Sequence, residues 1–173
     1  MSLSSAAVAQ AAALPSHGLL PPPALARRSV VIVAAGGRDL VWPQERIASA
    51  LLQRSGGRSV HLLLHGGARG ADRAIGRAAQ QLGWRVHCLA ADWRRHGRAA
   101  GPIRNRLLLK QALIEAQARS SPAISASVLV IAFPGGAGTA SLVQQARRCS
   151  SRSPVPVVVM EVPPPFSPEP LAA

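Results

Sequence analysis

Three short segments of this chain combine glycine with residues able to hold an anion. They are Gly36-Gly37-Arg38-Asp39, His65-Gly66-Gly67-Ala68-Arg69-Gly70-Ala71-Asp72 and Pro134-Gly135-Gly136-Ala137-Gly138-Thr139. Glycine lacks a Cβ, so its backbone can adopt positive φ and come close to a ligand. Where such a loop runs into a helix, free amides and the helix dipole face an anion. Thr139 adds a hydroxyl donor. One glycine pair alone is usually a tight turn; three of them at strand ends point to one binding rim. None is followed by Gly-Lys-Ser/Thr, so there is no Walker loop, and none reads GxGxxG, which argues against a standard dehydrogenase.

Other residues carry two readings each. Arg69, Arg98 and Arg104 could clamp a phosphate or carboxylate. Arg104 and Arg69 are taken as binding residues, and Arg98 as a solvated surface arginine. Asp72 could cap a helix or recognise a ribose hydroxyl, and Asp39 is similar. Asp92-Trp93 with His96 is either a packed loop or a lid whose indole stacks on a base. His61 and His87 fall inside strands, whereas His65 at a strand end is the better candidate for ligand contact. No His, Cys or carboxylate cluster has metal-ligand spacing, so no metal site is expected; no cofactor and no catalytic residue is assigned.

The elements that would position these residues alternate strand and helix. Ser29 to Ala35 is a β-branched run ending in glycines and reads as a buried strand. Trp42 to Ser55 reads as a helix with Pro43 in its first turn, and Arg58 to His65 as the second strand. Ala71 to Leu82 carries the clearest apolar stripe and stops at Gly83. Trp84 to Ala90 is a third strand, Ala91 to Pro102 a polar segment, and Ile103 to about Arg119 a helix. Ser120 to Ser125 is a loop, Ser127 to Phe133 the fourth strand, Pro134 to Thr139 a turn into a helix, and Pro156 to Val162 the last strand. This order predicts a Rossmann-like, three-layer α/β fold with a central, mostly parallel sheet of about five strands. If the strand order is 3-2-1-4-5, the three glycine loops share one rim.

Residues 1–28 are rich in Ala, Ser and Pro and read as a disordered leader; residues 163–173 form a Pro-rich tail around a domain at 29–162. The formal net charge is +13, with a single lysine, Lys110, among twenty basic residues. Such a surface attracts anions, and weak non-specific nucleic-acid binding is expected of it. An arginine-rich composition would look the same without any such partner. No apolar run is long enough to span a membrane, and Cys88 and Cys149 read as two reduced thiols. A cytoplasmic protein without a membrane partner is expected, and a homo-oligomer is compatible with the composition.

The segments VIVAAGGRDL, LHGGARGAD, ADWRRHGRAAGPIRN and AFPGGAGT occur in that order. In this combination the chain resembles the YspA-type, cpYpsA-related branch of the SLOG superfamily, over about Val30 to Val159. The superfamily includes cytokinin-activating phosphoribohydrolases and the DNA-processing protein of natural transformation. The resemblance implies a Rossmannoid fold and a nucleotide-type small molecule, bound or sensed in bacterial or phage conflict and stress systems. It implies that Gly135-Gly136-Ala137-Gly138-Thr139 holds a phosphate. It also implies that Arg104-Asn105 stands where the hydrolases carry an Arg-Lys pair, given a longer connection from about Gln111 to Ser125. The hydrolases have a glutamate three residues after the threonine, and this chain has Leu142. An oxocarbenium-like transition state needs a nearby carboxylate. Binding or sensing therefore leads, with an N-glycosidase and a DNA-binding accessory protein as alternatives.

Overall fold

The computed structural model describes residues 27–164. Its strands are β1 (Arg27–Ala35), β2 (Ser59–His65), β3 (Val86–Cys88), β4 (Ile124–Ala132) and β5 (Val157–Glu161). Its helices are α1 (Gln44–Ser55), α2 (Ala71–Gln81), α3 (Trp93–His96), α4 (Ala100–Arg119) and α5 (Ala137–Ser150), with a 3-10 turn at Gly97–Ala99.

Alternation along β1 dictates the layers. Val31, Val33 and Ala35 pack with Leu108, Leu109, Ala112 and Ala116 of α4 and with Leu142 and Ala146 of α5. Val30, Ile32 and Ala34 pack with Ile47 and Leu51 of α1 and with the Ala71, Ala74, Ile75, Ala78 and Ala79 stripe of α2. A strand buried on both faces needs helices on both, and the result is the expected three-layer α/β architecture. The sheet order is β3-β2-β1-β4-β5, and all four strand pairings are parallel. Chain direction from β1 therefore goes one way to β2 and the other way to β4. The loops after β1, β2 and β4 meet at that switch point, outside the carboxyl ends of the strands.

Several boundaries differ from the sequence reading. Arg27 and Arg28 are not leader; they pair with Ile124 and Ser125 as the start of β1. The rest of the leader, and the tail from residue 165, lie outside the described residues. Pro43 is the N-cap of α1 rather than part of its first turn. β3 has three residues instead of seven, because it sits at the sheet edge and pairs with β2 alone. The polar segment from Ala91 is mostly helical. Asp92 accepts a hydrogen bond from the Arg95 amide at 3.0 Å and so caps α3. Pro102 is the third residue of α4, where a missing N–H removes no intrahelical bond. The loop before β4 is shorter than Ser120 to Ser125, since Ser121 and Ile124 exchange two backbone bonds of 3.0 Å and close a tight turn. The span from Gln111 is not a long connection; α4 continues through it to Arg119.

Leu142 is fully buried between α5 and the sheet. Leu142→Ala should lower unfolding free energy by about 2–5 kcal/mol, the usual consequence of a cavity in a close-packed core. Chemical denaturation of both proteins measures it; a loss below about 0.5 kcal/mol would place this side chain outside the core.

Candidate functional site

A cleft of about 1130 Å³ opens at the switch point. Of the residues singled out in the sequence, Gly36, Gly37, Arg38, Asp39, Gly66, Gly67, Arg69, Arg104, Gly136, Gly138 and Thr139 line it. His65, Gly70, Asp72 and Asn105 do not line it and lie behind its walls, while Pro134 and Gly135 line a second groove instead. That groove, of about 1280 Å³, runs beside α5 and β5 past Phe133, Arg147 and Glu161. The loops after β1 and β2 take no part in it, so the convergence of three loops favours the first.

The wall is held by a buried polar chain. The Asp72 side chain is 2% exposed. Its Oδ1 accepts from the Gly36 amide at 3.4 Å, and its Oδ2 accepts from the Ala68 amide at 3.2 Å. Arg104 Nη1 lies 3.5 Å from the same Oδ2. Arg104 Nε donates to Asn105 Oδ1 at 3.1 Å, and Asn105 Nδ2 donates to the Gly138 carbonyl at 3.1 Å. Loops following β1, β2 and β4 are thus tied to the start of α4 by two adjacent side chains. Asp72 is not the cap of α2, as one of its two readings had it; Gly70 occupies that position at φ 74°, where any side chain would strike the Arg38 carbonyl. Gly66 is explained by Arg104, because a Cβ there would occupy the place of the guanidinium. Arg104 lines the cleft, yet much of its hydrogen-bonding capacity faces inward.

Electrostatics follow burial. Asp72 is pushed above the ordinary 3.8, chiefly by desolvation, against the pull of Arg104, the Ala68 and Gly36 amides and His65. His65 Nδ1 accepts from the Gly67 amide at 3.1 Å. Burial holds His65 below its ordinary 6.5; Asp72 opposes this, while Arg104 and His87 add to it. The rim is wet by contrast: Arg69 and Asp39 approach to 3.4 Å with both side chains mostly exposed, an arrangement of little energetic weight.

The α3–α4 side contributes further lining residues. Arg98, read in the sequence as a surface arginine, lines the cleft, and so does Trp93, one of whose two readings was a lid over a base; Gly101 and Pro102 of α4 and Ser141 of α5 line it without having been singled out. Gly101 was legible in principle, as a glycine in the first turn of a long helix where no turn requires it. His61 lies 3.7 Å from Glu115, and His87 is on the exposed edge strand; neither lines the cleft. Among the described residues no group of three or more His, Cys, Asp or Glu could hold a metal ion, and no helix is long and apolar enough to cross a membrane.

Residues 30–96 match the YspA, cpYpsA-related SLOG family, YAcAr. The match runs from β1 through α3 and takes in the first two glycine loops and the Asp92-Trp93 segment. Arg104 and the PGGAGT loop lie beyond it, and their place in the same cleft rests on the fold. No curated protein matches the chain.

The two buried titratable groups have opposite linkage. With its folded value below 6.5, His65 supplies stability that is complete above pH 6.5 and is lost as pH falls from there through the folded value. Asp72, raised above 3.8, lowers stability as pH rises from 3.8 through its folded value. His65→Asn keeps an acceptor for the Gly67 amide but cannot protonate. Melting temperatures of both proteins between about pH 8 and 5 should diverge below about 6.5, with the wild type losing more. Parallel profiles would remove His65 from the account.

Proposed function

We propose that the cleft binds a nucleotide-type ligand, with a phosphate seated at the start of α5. The observation that carries this reading concerns which glycines the fold itself needs. Gly66 and Gly70 are demanded by Arg104 and by backbone geometry. Gly136 and Gly138 are not: a Cβ on either would meet no atom within 4 Å, and neither has positive φ. Gly136 and Gly138 line the cleft at the start of a 14-residue helix, whose Ala137 and Gly138 amides have no backbone acceptor among the described residues. A helix start of this kind suits phosphate. Arg38, Arg69, Arg98 and Arg104 line the same cavity, whose one lining carboxylate is Asp39.

Binding or sensing fits these walls better than N-glycosidic hydrolysis. Leu142 points into the core, Asp72 is engaged behind the wall, and Asp92 caps α3. Asp39 is on the exposed rim, where water screens its charge. The excess of arginine also supports weak, salt-sensitive association with nucleic acid through its phosphates.

Glycine within the first turn of α5 is unfavourable for the helix, so Gly138→Ala should leave stability unchanged or raise it by up to about 1 kcal/mol. The added methyl group occupies phosphate space, and calorimetric affinity for the best of a panel of nucleoside mono-, di- and triphosphates should fall by about tenfold or more. Gly136→Val should fold and lose binding altogether, since its φ of −91° is open to any residue. Undiminished affinity in both folded variants would remove the phosphate site.

A further inference from the structure

The α3–α4 side of the cleft carries a different chemistry. Trp93 lines the cavity with half of its surface exposed, and it is the one aromatic among the exposed large hydrophobic residues described. Trp42 and Trp84 instead pack against the core. The indole is held in place from two sides. Asp92 caps the short helix that Trp93 begins, and the ring rests on α4, where a Cβ on Gly101 would lie 3.5 Å from Trp93 Cη2. The Arg38 guanidinium sits over the ring, 5.3 Å from its centroid. Among the described residues Arg38 makes no side-chain hydrogen bond or ion pair, so this contact alone positions it.

We infer that Trp93 is the nucleobase platform of the cleft and that Arg38 is its resident occupant, displaced when a base stacks on the indole. The inference rests on the phosphate site proposed above, because a phosphate at α5 anchors the other end of the ligand. The exchange is favourable in direction: a base stacked on an aromatic ring outweighs an exposed cation–π contact. The guanidinium so released stays on the cleft wall, beside the ligand's negative charge. A cavity of this size takes a base, a ribose and phosphate together. Stacking tolerates any base, so Trp93 supplies affinity for nucleotides as a class and leaves the choice of base to polar groups around it.

The test uses ribose 5-phosphate and the four common nucleoside 5′-monophosphates as calorimetric probes. The wild type should bind at least one nucleotide more tightly than ribose 5-phosphate. Trp93→Ala should weaken that nucleotide by about fivefold to a hundredfold while leaving ribose 5-phosphate within about twofold, and Trp93→Phe should retain most of the difference. The nucleotide, but not ribose 5-phosphate, should change the indole emission, and the change should be absent in Trp93→Phe. Equal weakening of both probes in Trp93→Ala would show that the side chain only props α3 against α4. Nucleotides binding no more tightly than ribose 5-phosphate would also overturn the inference while leaving the phosphate site standing. Failure of both probes on the wild type would instead remove the phosphate site and this platform with it.

Discussion

A carboxylate taken almost wholly out of water sets the geometry of this protein's cleft. Asp72 must be satisfied where it is, and it is satisfied by two loop amides and a guanidinium that come from three places in the chain. Removing such a partner would leave a buried charge alone, which is far more costly than the pair is favourable. The loops after β1 and β2 are therefore not free to choose their spacing. Arg104 carries the constraint to Asn105, and Asn105 carries it to the first turn of α5. Glycine at position 66 follows from the same arrangement, because the guanidinium lies where its side chain would be. The raised proton affinity of Asp72 and the lowered one of His65 are the electrostatic signature of packing these groups out of water.

The cleft is thus built from two kinds of glycine. One kind lets the chain close on itself around Arg104 and the Arg38 carbonyl. The other kind, Gly136 and Gly138, leaves an opening that the protein does not fill. Distinguishing them converts a glycine-rich sequence into a statement about where a ligand comes close to backbone. The proposed ligand, with an anionic end and a flat, aromatic end, suits a lining that combines four arginines with an exposed indole.

Much of this was legible before any coordinates. Strands such as Ser29 to Ala35 announce themselves by β-branched runs, and α2 by its alanine and isoleucine stripe. The shared rim of the three glycine loops was conditional on a strand order of 3-2-1-4-5, and the sheet has that order. What could not be read was anything set by distant partners. Arg104 stands out as a cation, but its inward commitment depends on Asp72, 32 positions earlier and a neighbour only in the folded chain. In the sequence Asp72 is open between a helix cap and a ribose contact; Gly70 holds the cap position, and the Asp72 carboxylate is taken up by the Gly36 and Ala68 amides. The short helix at Trp93 escaped notice because four residues give no periodicity, and its formation hangs on a single Asp92 cap. The sequence therefore leaves Trp93 open between a packed loop and a lid and reads Arg98 as a surface residue, whereas both line the cleft.

The central claim is that phosphate binds where the backbone of α5 is bare. Its most direct measurement is a crystal structure of the protein with the nucleotide that most raises its melting temperature. The account predicts a phosphate within about 3 Å of the Ala137 and Gly138 amides, inside the cleft framed by Gly36, Gly66 and Arg104. A phosphate found instead in the groove beside α5 and β5, near Arg147 and Arg148, with the cleft empty, would contradict it.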